Sequence, residues 1–101
     1  MITMIEENRG RQKIYKIFLK KSVVKFLNKI TDKDYGIISK NISALANVPR
    51  PFNSKKIAAD EKNIYRIRVG RYRIIYFIDD RNRVINILEV KLRRENTYKN
   101  F

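Results

Sequence analysis

The apolar and charged positions of the segment YRIRVGRYRIIY, residues 65–76, alternate as is typical of a β-hairpin. Gly70-Arg71 separates two apolar runs, and a two-residue connection with Gly in its first central place favours a type II′ turn. The turn then determines which residues of the two strands lie opposite each other. Counting outward predicts five pairs: Val69 with Tyr72, Arg68 with Arg73, Ile67 with Ile74, Arg66 with Ile75, and Tyr65 with Tyr76.

This pairing also assigns the side chains to faces, because successive residues of a strand point to opposite sides. One face is expected to hold the apolar and tyrosine side chains of Tyr65, Ile67, Val69, Tyr72, Ile74 and Tyr76. The other face holds Arg66, Arg68 and Arg73. Like charges directly opposite each other on a sheet are unfavourable. The Arg68/Arg73 pair therefore indicates an anionic ligand, a carboxylate partner or exposure to solvent.

The chain before the hairpin predicts a strand and two helices. Residues 14–19 alternate like a strand, and helical spacing follows from Lys20 or Ser22 to Ile30. Thr31-Asp32 supplies N-cap oxygens for a second helix. The apolar stripe of that helix is expected to be Tyr35, Ile38, Ile42 and Leu45.

The remaining segments complete an α+β fold. Residues 47–54 contain both prolines and predict a loop, and Lys55-Lys56-Ile57 opens a short strand or extended segment. Residues 84–90 predict a last strand that could bury either Val84, Asn86, Leu88 and Val90 or Ile85 and Ile87. The order β-α-α-β-β-β predicts a helical hairpin packed on one face of a mainly antiparallel sheet. Residues 1–101 are expected to form one domain, with residues 1–12 as a poorly ordered lead-in.

Composition narrows the chemistry. The 101 residues include 24 Lys and Arg against 10 Asp and Glu, a formal charge of +14, which indicates a polyanionic partner such as nucleic acid or an acidic protein. There is no cysteine and no histidine. Disulfides, thiolate metal sites and a histidine base are thereby excluded, and we expect no metal and no cofactor. No apolar run approaches the ~20 residues of a membrane span, so a cytoplasmic protein is expected.

Arginine and lysine are segregated along the chain. Most lysines precede Ile64, whereas eight arginines follow it, and the planar guanidinium binds phosphate with two parallel hydrogen bonds. Phe77, on the Arg73 side, and Tyr98 and Phe101 near the end of the chain could stack on bases. This combination favours binding of RNA or single-stranded nucleic acid. The alternative for Tyr98 and Phe101 is that they seal the edge of the sheet.

The run YRIRVGRYRIIYFIDD, followed by a strand and by KLRRENTYKN, resembles the RelE/ParE toxin superfamily and in particular its RelE branch. The resemblance extends from Tyr15 to Asn100. It implies a RelE-like fold and the toxin of a type II toxin–antitoxin system. Such a toxin would be a ribosome-dependent, metal-independent endoribonuclease that cleaves mRNA in the A site by attack of the 2′-hydroxyl. A RelB-like antitoxin would neutralise it in a hetero-oligomer.

The resemblance also implies roles for individual residues. The catalytic positions would be Arg66, Arg68, Arg73 and Tyr98. Arg68 and Arg73 would bind the scissile phosphate and stabilise the charge of the pentavalent transition state, and Tyr98 would orient the attacking nucleotide. Six further basic residues are expected to contact RNA: Lys55, Lys56, Arg71, Lys91, Arg93 and Arg94. Solvated surface charge is the alternative for Lys55 and Lys56.

One position departs from the family pattern. Relatives commonly have His or Arg six residues before the terminal tyrosine, where it helps to protonate the leaving oxygen, and this chain has Leu92. Lys91, Arg93 or Arg94 could take that role after a small shift, or catalysis could depend on geometry and charge alone. Arg66 stays protonated and is a poor general base. Two alternatives therefore remain, a ParE-like toxin that inhibits DNA gyrase and a weakened toxin that only binds RNA or antitoxin.

Overall fold

A computed structural model of the chain describes residues 3–4, 14–57 and 63–93. Within them the helices are α1 (Lys21–Leu27) and α2 (Asp32–Ala44). The strands are β1 (Thr3–Met4), β2 (Lys16–Leu19), β3 (Lys55–Lys56), β4 (Ile64–Val69), β5 (Tyr72–Asp79) and β6 (Val84–Leu92). None of the described helices is long and apolar enough to cross a membrane.

The strands form one sheet in the order β1-β2-β6-β5-β4-β3. The β2–β6 pair is parallel and the other four pairs are antiparallel. A parallel pair needs a long connection between its strands, and here both helices and the hairpin lie between β2 and β6 in sequence. The predicted fold, a helical hairpin on one face of a mainly antiparallel sheet, is confirmed.

The helices and one sheet face enclose the core. From the helices it takes Val23, Leu27, Ile38 and Ile42, and from the sheet Ile17, Ile67, Ile74, Tyr76, Ile78, Ile85 and Ile87, among others. Tyr76 is fully buried, and its hydroxyl satisfies itself by donating a 2.8 Å hydrogen bond to the Pro49 carbonyl. Burial raises the pKa of Tyr76 to about 12. The Tyr76 phenol is therefore neutral, and its hydrogen bond links the proline-containing loop, residues 47–54, to the sheet.

The predicted hairpin register is correct at all five pairs, and Ile64 opposite Phe77 extends it. Gly70 has φ +59°, while Arg83 is the only non-glycine residue with positive φ in the described part of the chain. Positive φ at the first central residue alone is the signature of a type II′ turn. Local turn chemistry therefore set the register, as predicted.

The helices differ from the prediction in two respects. Helix α1 ends at Leu27, before Ile30. Tyr35 was expected on the apolar stripe of α2 with the core residues Ile38 and Ile42, and this is wrong, because its side chain is 44% exposed and lines a hollow between the two helices and β2. The N-cap prediction is correct, since the Thr31 hydroxyl accepts a 3.1 Å hydrogen bond from the Asp34 amide.

Strand β6 contains a β-bulge that resolves the two alternatives for its inward side. Ile75 pairs with Glu89 but Tyr76 pairs with Ile87, so Leu88 is an extra residue without a register partner on β5. The bulge reverses the alternation. Ile85 and Ile87 are buried before it and Val90 after it, so each predicted set is correct for one part of the strand.

Within the predicted lead-in, the structure adds β1. Thr3 and Met4 pair with Phe18 and Ile17 of β2, which the sequence pattern did not predict. The rest of that segment, and Arg94, Tyr98 and Phe101, lie outside the described residues.

Candidate nucleic-acid interface

We call the sheet face turned away from α1 and α2 the open face. Arg68 of β4, Arg73 of β5 and Lys91 of β6 are successive register partners on it, close to the hairpin turn. These three residues form what we call the cationic row. The row exists because the type II′ turn places Arg68 opposite Arg73, and because the bulge places Lys91 opposite Arg73, where an unbroken continuation of the Tyr76–Ile87 pairing would place Val90.

Two further arginines adjoin the cationic row. Arg66 lies two residues before Arg68 on β4, and so on the same face. Arg93 follows the end of β6, where its amide donates a 2.7 Å hydrogen bond to the Arg71 carbonyl and its Nη1 donates a 3.0 Å bond to the Gly70 carbonyl. Burial, and then the charges of Arg68, Arg73 and Arg93, lowers the pKa of Arg66. The shift reflects the burial of this guanidinium first, and the positive charges around it second.

The positive charge of this face is poorly compensated by the described residues. Their ion pairs are Arg50–Asp80 at 2.8 Å, Arg71–Asp34 at 3.8 Å and Lys91–Glu89 at 3.5 Å. None of these involves Arg66, Arg68 or Arg73. The Nε atoms of Arg66 and Arg73 are buried and have no hydrogen-bond partner within the described part of the protein. Buried donors normally have acceptors, so these guanidinium groups suit an anionic ligand.

On the face opposite the open face, the β4–β5 hairpin contacts both helices through Tyr72. The Tyr72 hydroxyl donates a 2.6 Å hydrogen bond to Asp34 Oδ2 in the first turn of α2, and the Phe26 ring of α1 meets the Tyr72 ring edge-on at 6.1 Å. The bond to Asp34, with burial, raises the pKa of Tyr72. Because Tyr72 precedes Arg73 on β5, these contacts hold the arginine strand in place.

The structure distributes the other predicted RNA contacts over several sites. Lys55 lies opposite Arg66 and shares the open face, whereas Lys56 lies opposite Tyr65 and belongs to the helix side. Arg71 is in the turn, facing Asp34. Arg94 and the proposed catalytic Tyr98 lie outside the described residues.

Leu92 does not belong to the cationic row. It is the register partner of Tyr72, on the helix side of the sheet, and its side chain is 47% exposed. Lys91 is the β6 residue that shares the open face with Arg73. Leu92 therefore does not place an alkyl group opposite Arg73. The group that β6 places there is the amino group of Lys91.

The sequence did not predict a second row on the open face. Ile64, Phe77, Asn86 and Phe18 are successive register partners across β4, β5, β6 and β2. Phe77 was expected on the Arg73 side, and the structure confirms this. Phe18 and Asn86 could not be assigned to it, because the parallel β2–β6 pairing has no local signal in the sequence.

Chemically, the open face can bind and stabilise negative charge. Guanidinium groups supply forked donors that remain charged, and they match phosphate oxygens. The described residues contain no group of three His, Cys, Asp or Glu side chains that could hold a metal ion. The only carboxylate on the open face beside the cationic row is Glu89, within the described residues, and it pairs with Lys91.

Comparisons with known proteins agree with this fold. A family model described as the ParE toxin of the type II toxin–antitoxin system parDE matches residues 17–97. No curated protein matches the chain. An archaeal RelE–RelB complex from Pyrococcus horikoshii is 30% identical, with a TM-score of 0.73, over 81% of this chain and 98% of the other.

Two bacterial structures share the fold at lower identity. The toxin–antitoxin complex RelBE2 from Mycobacterium tuberculosis is 22% identical, with a TM-score of 0.68, over 79% of this chain and 99% of that one. The isolated Escherichia coli RelE toxin is 18% identical, also with a TM-score of 0.68, over 85% of this chain and 92% of that one.

Proposed function

Because the chain belongs to the RelE/ParE superfamily of type II toxin–antitoxin toxins, we propose that it acts as a ribosome-dependent, metal-independent endoribonuclease that cleaves mRNA in the A site. Its place of action would be the cytoplasm, where translating ribosomes are. The observation that carries the proposal is the cationic row, in which Arg68 lies opposite Arg73 and neither has a carboxylate partner among the described residues.

The reaction needs charge stabilisation more than it needs a cofactor. The ribose 2′-oxygen attacks the adjacent phosphorus, the bond from phosphorus to the 5′-oxygen breaks, and a 2′,3′-cyclic phosphate and a 5′-hydroxyl result. The 2′-hydroxyl loses its proton and the leaving oxygen gains one. The pentavalent transition state carries extra negative charge, which Arg68 and Arg73 would stabilise through preorganised donors.

Proton transfer to the leaving oxygen is assigned to Lys91 in this proposal. Its ammonium is the only non-guanidinium donor of the cationic row, and β6 places it opposite Arg73. Arg66 and Arg93 would contribute positive potential without changing protonation state. Tyr98 keeps its proposed role of orienting the attacking nucleotide.

The proposed inhibitor is a RelB-like antitoxin that binds the toxin in a hetero-oligomer. The archaeal structure with 30% identity is itself a RelE–RelB complex. A net charge of +14 favours a partner segment with carboxylates over the cationic row. Such a segment would block RNA by occupying the same guanidinium groups.

A second candidate is inhibition of DNA gyrase. It is favoured by the ParE description of the matching family model and by Leu92. The cluster of arginines on the open face has no evident use in that activity, so we rank it second.

Both candidates can be tested with the full chain. It would be synthesised in a translation extract, and the ends of ribosome-bound mRNA would be mapped. New cuts within codons are expected, and their absence would contradict the proposal. A supercoiling assay with purified gyrase, run in parallel, should show no inhibition. Inhibited supercoiling with intact mRNA would instead establish the second candidate.

A further inference from the structure

An apolar hollow of about 380 Å³ lies on the open face beyond the cationic row. Six of the side chains around it matter here: Phe18, Lys20, Ile64, Phe77, Asn86 and Leu88. Four of these residues form the row of register partners that crosses β4, β5, β6 and β2. Leu88, the extra residue of the β6 bulge, lies between that row and the charged part of the face. The bulge therefore separates the open face into a cationic half and an apolar half.

The hollow has the composition of a small-ligand site. Such sites are mostly apolar or aromatic, measure roughly 300–1,000 Å³, and contain a few polar groups that fix orientation. Here the polar residues are Asn86, between Phe18 and Phe77 in register, and Lys20. The Asn86 side chain forms no hydrogen bond to another described residue. No described residue therefore occupies the donor or the acceptor of this amide.

The hollow and the cationic row are close enough to act on one strand of RNA. Phe77 lies four residues from Arg73 on β5, which at about 3.3 Å per residue is roughly 13 Å along the same face. A strand whose phosphate is held by Arg68 and Arg73 can therefore extend a neighbouring base into the hollow. Sheet faces with aromatic side chains bind unpaired bases in this way, by stacking.

We propose that this hollow is a nucleobase subsite, in which an unpaired purine of the bound RNA stacks on Phe77 while Asn86 bonds its edge. Adenine fits best, because an Asn amide can both accept from and donate to its N6 and N7 positions. An apolar side chain of a protein partner would fill the same hollow but would leave the Asn86 amide without a partner. The inference rests on the proposed function and extends it to base preference near the cut.

The test uses short RNA strands that differ at one base. Each strand carries adenine, guanine, the fluorescent adenine analogue 2-aminopurine, or an abasic site at the tested position. The full chain is compared with Phe77→Leu and Asn86→Leu. Phe52→Leu is the matched control, because Phe52 is a fully exposed phenyl group in the 47–54 loop, away from the open face. Thermal unfolding of each variant verifies that it is folded.

The wild-type chain should quench 2-aminopurine and bind the abasic strand about tenfold more weakly than the adenine strand. Phe77→Leu should remove the quenching and most of the difference between strands, and Asn86→Leu should remove the preference for adenine. Phe52→Leu should behave as the wild type. Retained quenching in Phe77→Leu would overturn the proposal. Unchanged RNA binding with lost antitoxin binding in that variant would also overturn it, and would make the hollow an antitoxin site.

Failure of this inference can be told apart from failure of the proposed function. If the wild type binds RNA through Arg73 but does not distinguish adenine from an abasic site, only the subsite is refuted. If the wild type binds none of the strands, the subsite is refuted, and cleavage on ribosomes decides the proposed function separately. If Arg73→Ala does not weaken binding of the abasic strand, the cationic row is not the phosphate site and both are refuted.

Discussion

Arg68 and Arg73 lie directly opposite each other on β4 and β5, on the sheet face turned away from both helices. Lys91 extends the pair across β6, and Arg66 and Arg93 add charge on either side. Within the described residues, neither Arg68 nor Arg73 has a carboxylate partner. Two arginines directly opposite each other are unfavourable for folding, and binding of an anion by the pair would explain why both are present.

Removing one charge of this pair should not weaken the fold. Like charges directly opposite on a sheet are destabilising by a few tenths to about 1 kcal/mol. Arg73→Gln should therefore leave the free energy of unfolding unchanged or raise it by up to about 1 kcal/mol. Urea unfolding at low ionic strength would measure it. Arg81→Gln, an exposed arginine in the β5–β6 turn, is the matched control and should give no increase. A clear loss of stability in Arg73→Gln would show that Arg73 has a structural partner.

Binding of an acidic antitoxin should depend on salt. Electrostatic attraction between exposed groups is screened as ionic strength rises, so the affinity should fall between low and physiological salt. Calorimetric titration of the full chain with its antitoxin would show this. Replacing Arg68 and Arg73 together by Ala should make the affinity fall less steeply with increasing salt concentration. An affinity that does not change with salt would mean that apolar contacts dominate.

The contributions of Leu92 and Lys91 can be separated. Leu92 lies opposite Tyr72 on the helix side, whereas Lys91 lies opposite Arg73. We therefore expect Leu92→His to leave the cleavage rate nearly unchanged, and Lys91→Ala to lower it by about tenfold or more. Single-turnover cleavage on ribosomes measures both. A large gain from Leu92→His, with no loss from Lys91→Ala, would assign the proton donor to position 92.

Stability toward acid should depend on Asp80. Hydrogen bonds from Arg50 at 2.8 Å and 3.3 Å and from Tyr15 at 2.7 Å hold the pKa of Asp80 below its usual 3.8. A carboxyl group with a depressed pKa stabilises the fold above its unfolded pKa, and this stabilisation is lost as pH falls through the folded value.

Asp80→Asn should therefore be less stable than the wild type at neutral pH and lose less stability on acidification below pH 3.8. Unfolding curves at a series of pH values would measure the difference. Asp79→Asn is a useful comparison, because the pKa of Asp79 is lowered by Asn82 and not by Arg50. If the acid profile of Asp80→Asn matched that of the wild type, the contact with Arg50 would contribute nothing to stability.

Local features of the chain predicted the hairpin in full. A two-residue turn with Gly70 fixes the register of β4 and β5, and a one-residue slip would move every apolar side chain to the wrong face. The positions of Arg66, Arg68 and Arg73 therefore followed from the sequence alone. The helix cap at Thr31 was equally local.

Features that depend on distant parts of the chain were not predictable. The parallel pairing of β2 with β6 joins segments separated by both helices, so the sequence gives no sign that Phe18 lies beside Asn86. The bulge at Leu88 could not be predicted, because both sets of alternating residues in β6 are apolar enough to face the core. Without these two features, neither Lys91 in the cationic row nor the hollow could be recognised.

Cleavage of a defined mRNA on ribosomes with an empty A site tests the central claim most directly. The wild type would be compared with Arg73→Ala and with the turn control Arg81→Ala. We expect the wild type to cut within the A-site codon, Arg73→Ala to be slower by about 100-fold or more, and Arg81→Ala to match the wild type. Full activity in Arg73→Ala, with loss of activity in Arg81→Ala, would show that the open face is not the active site.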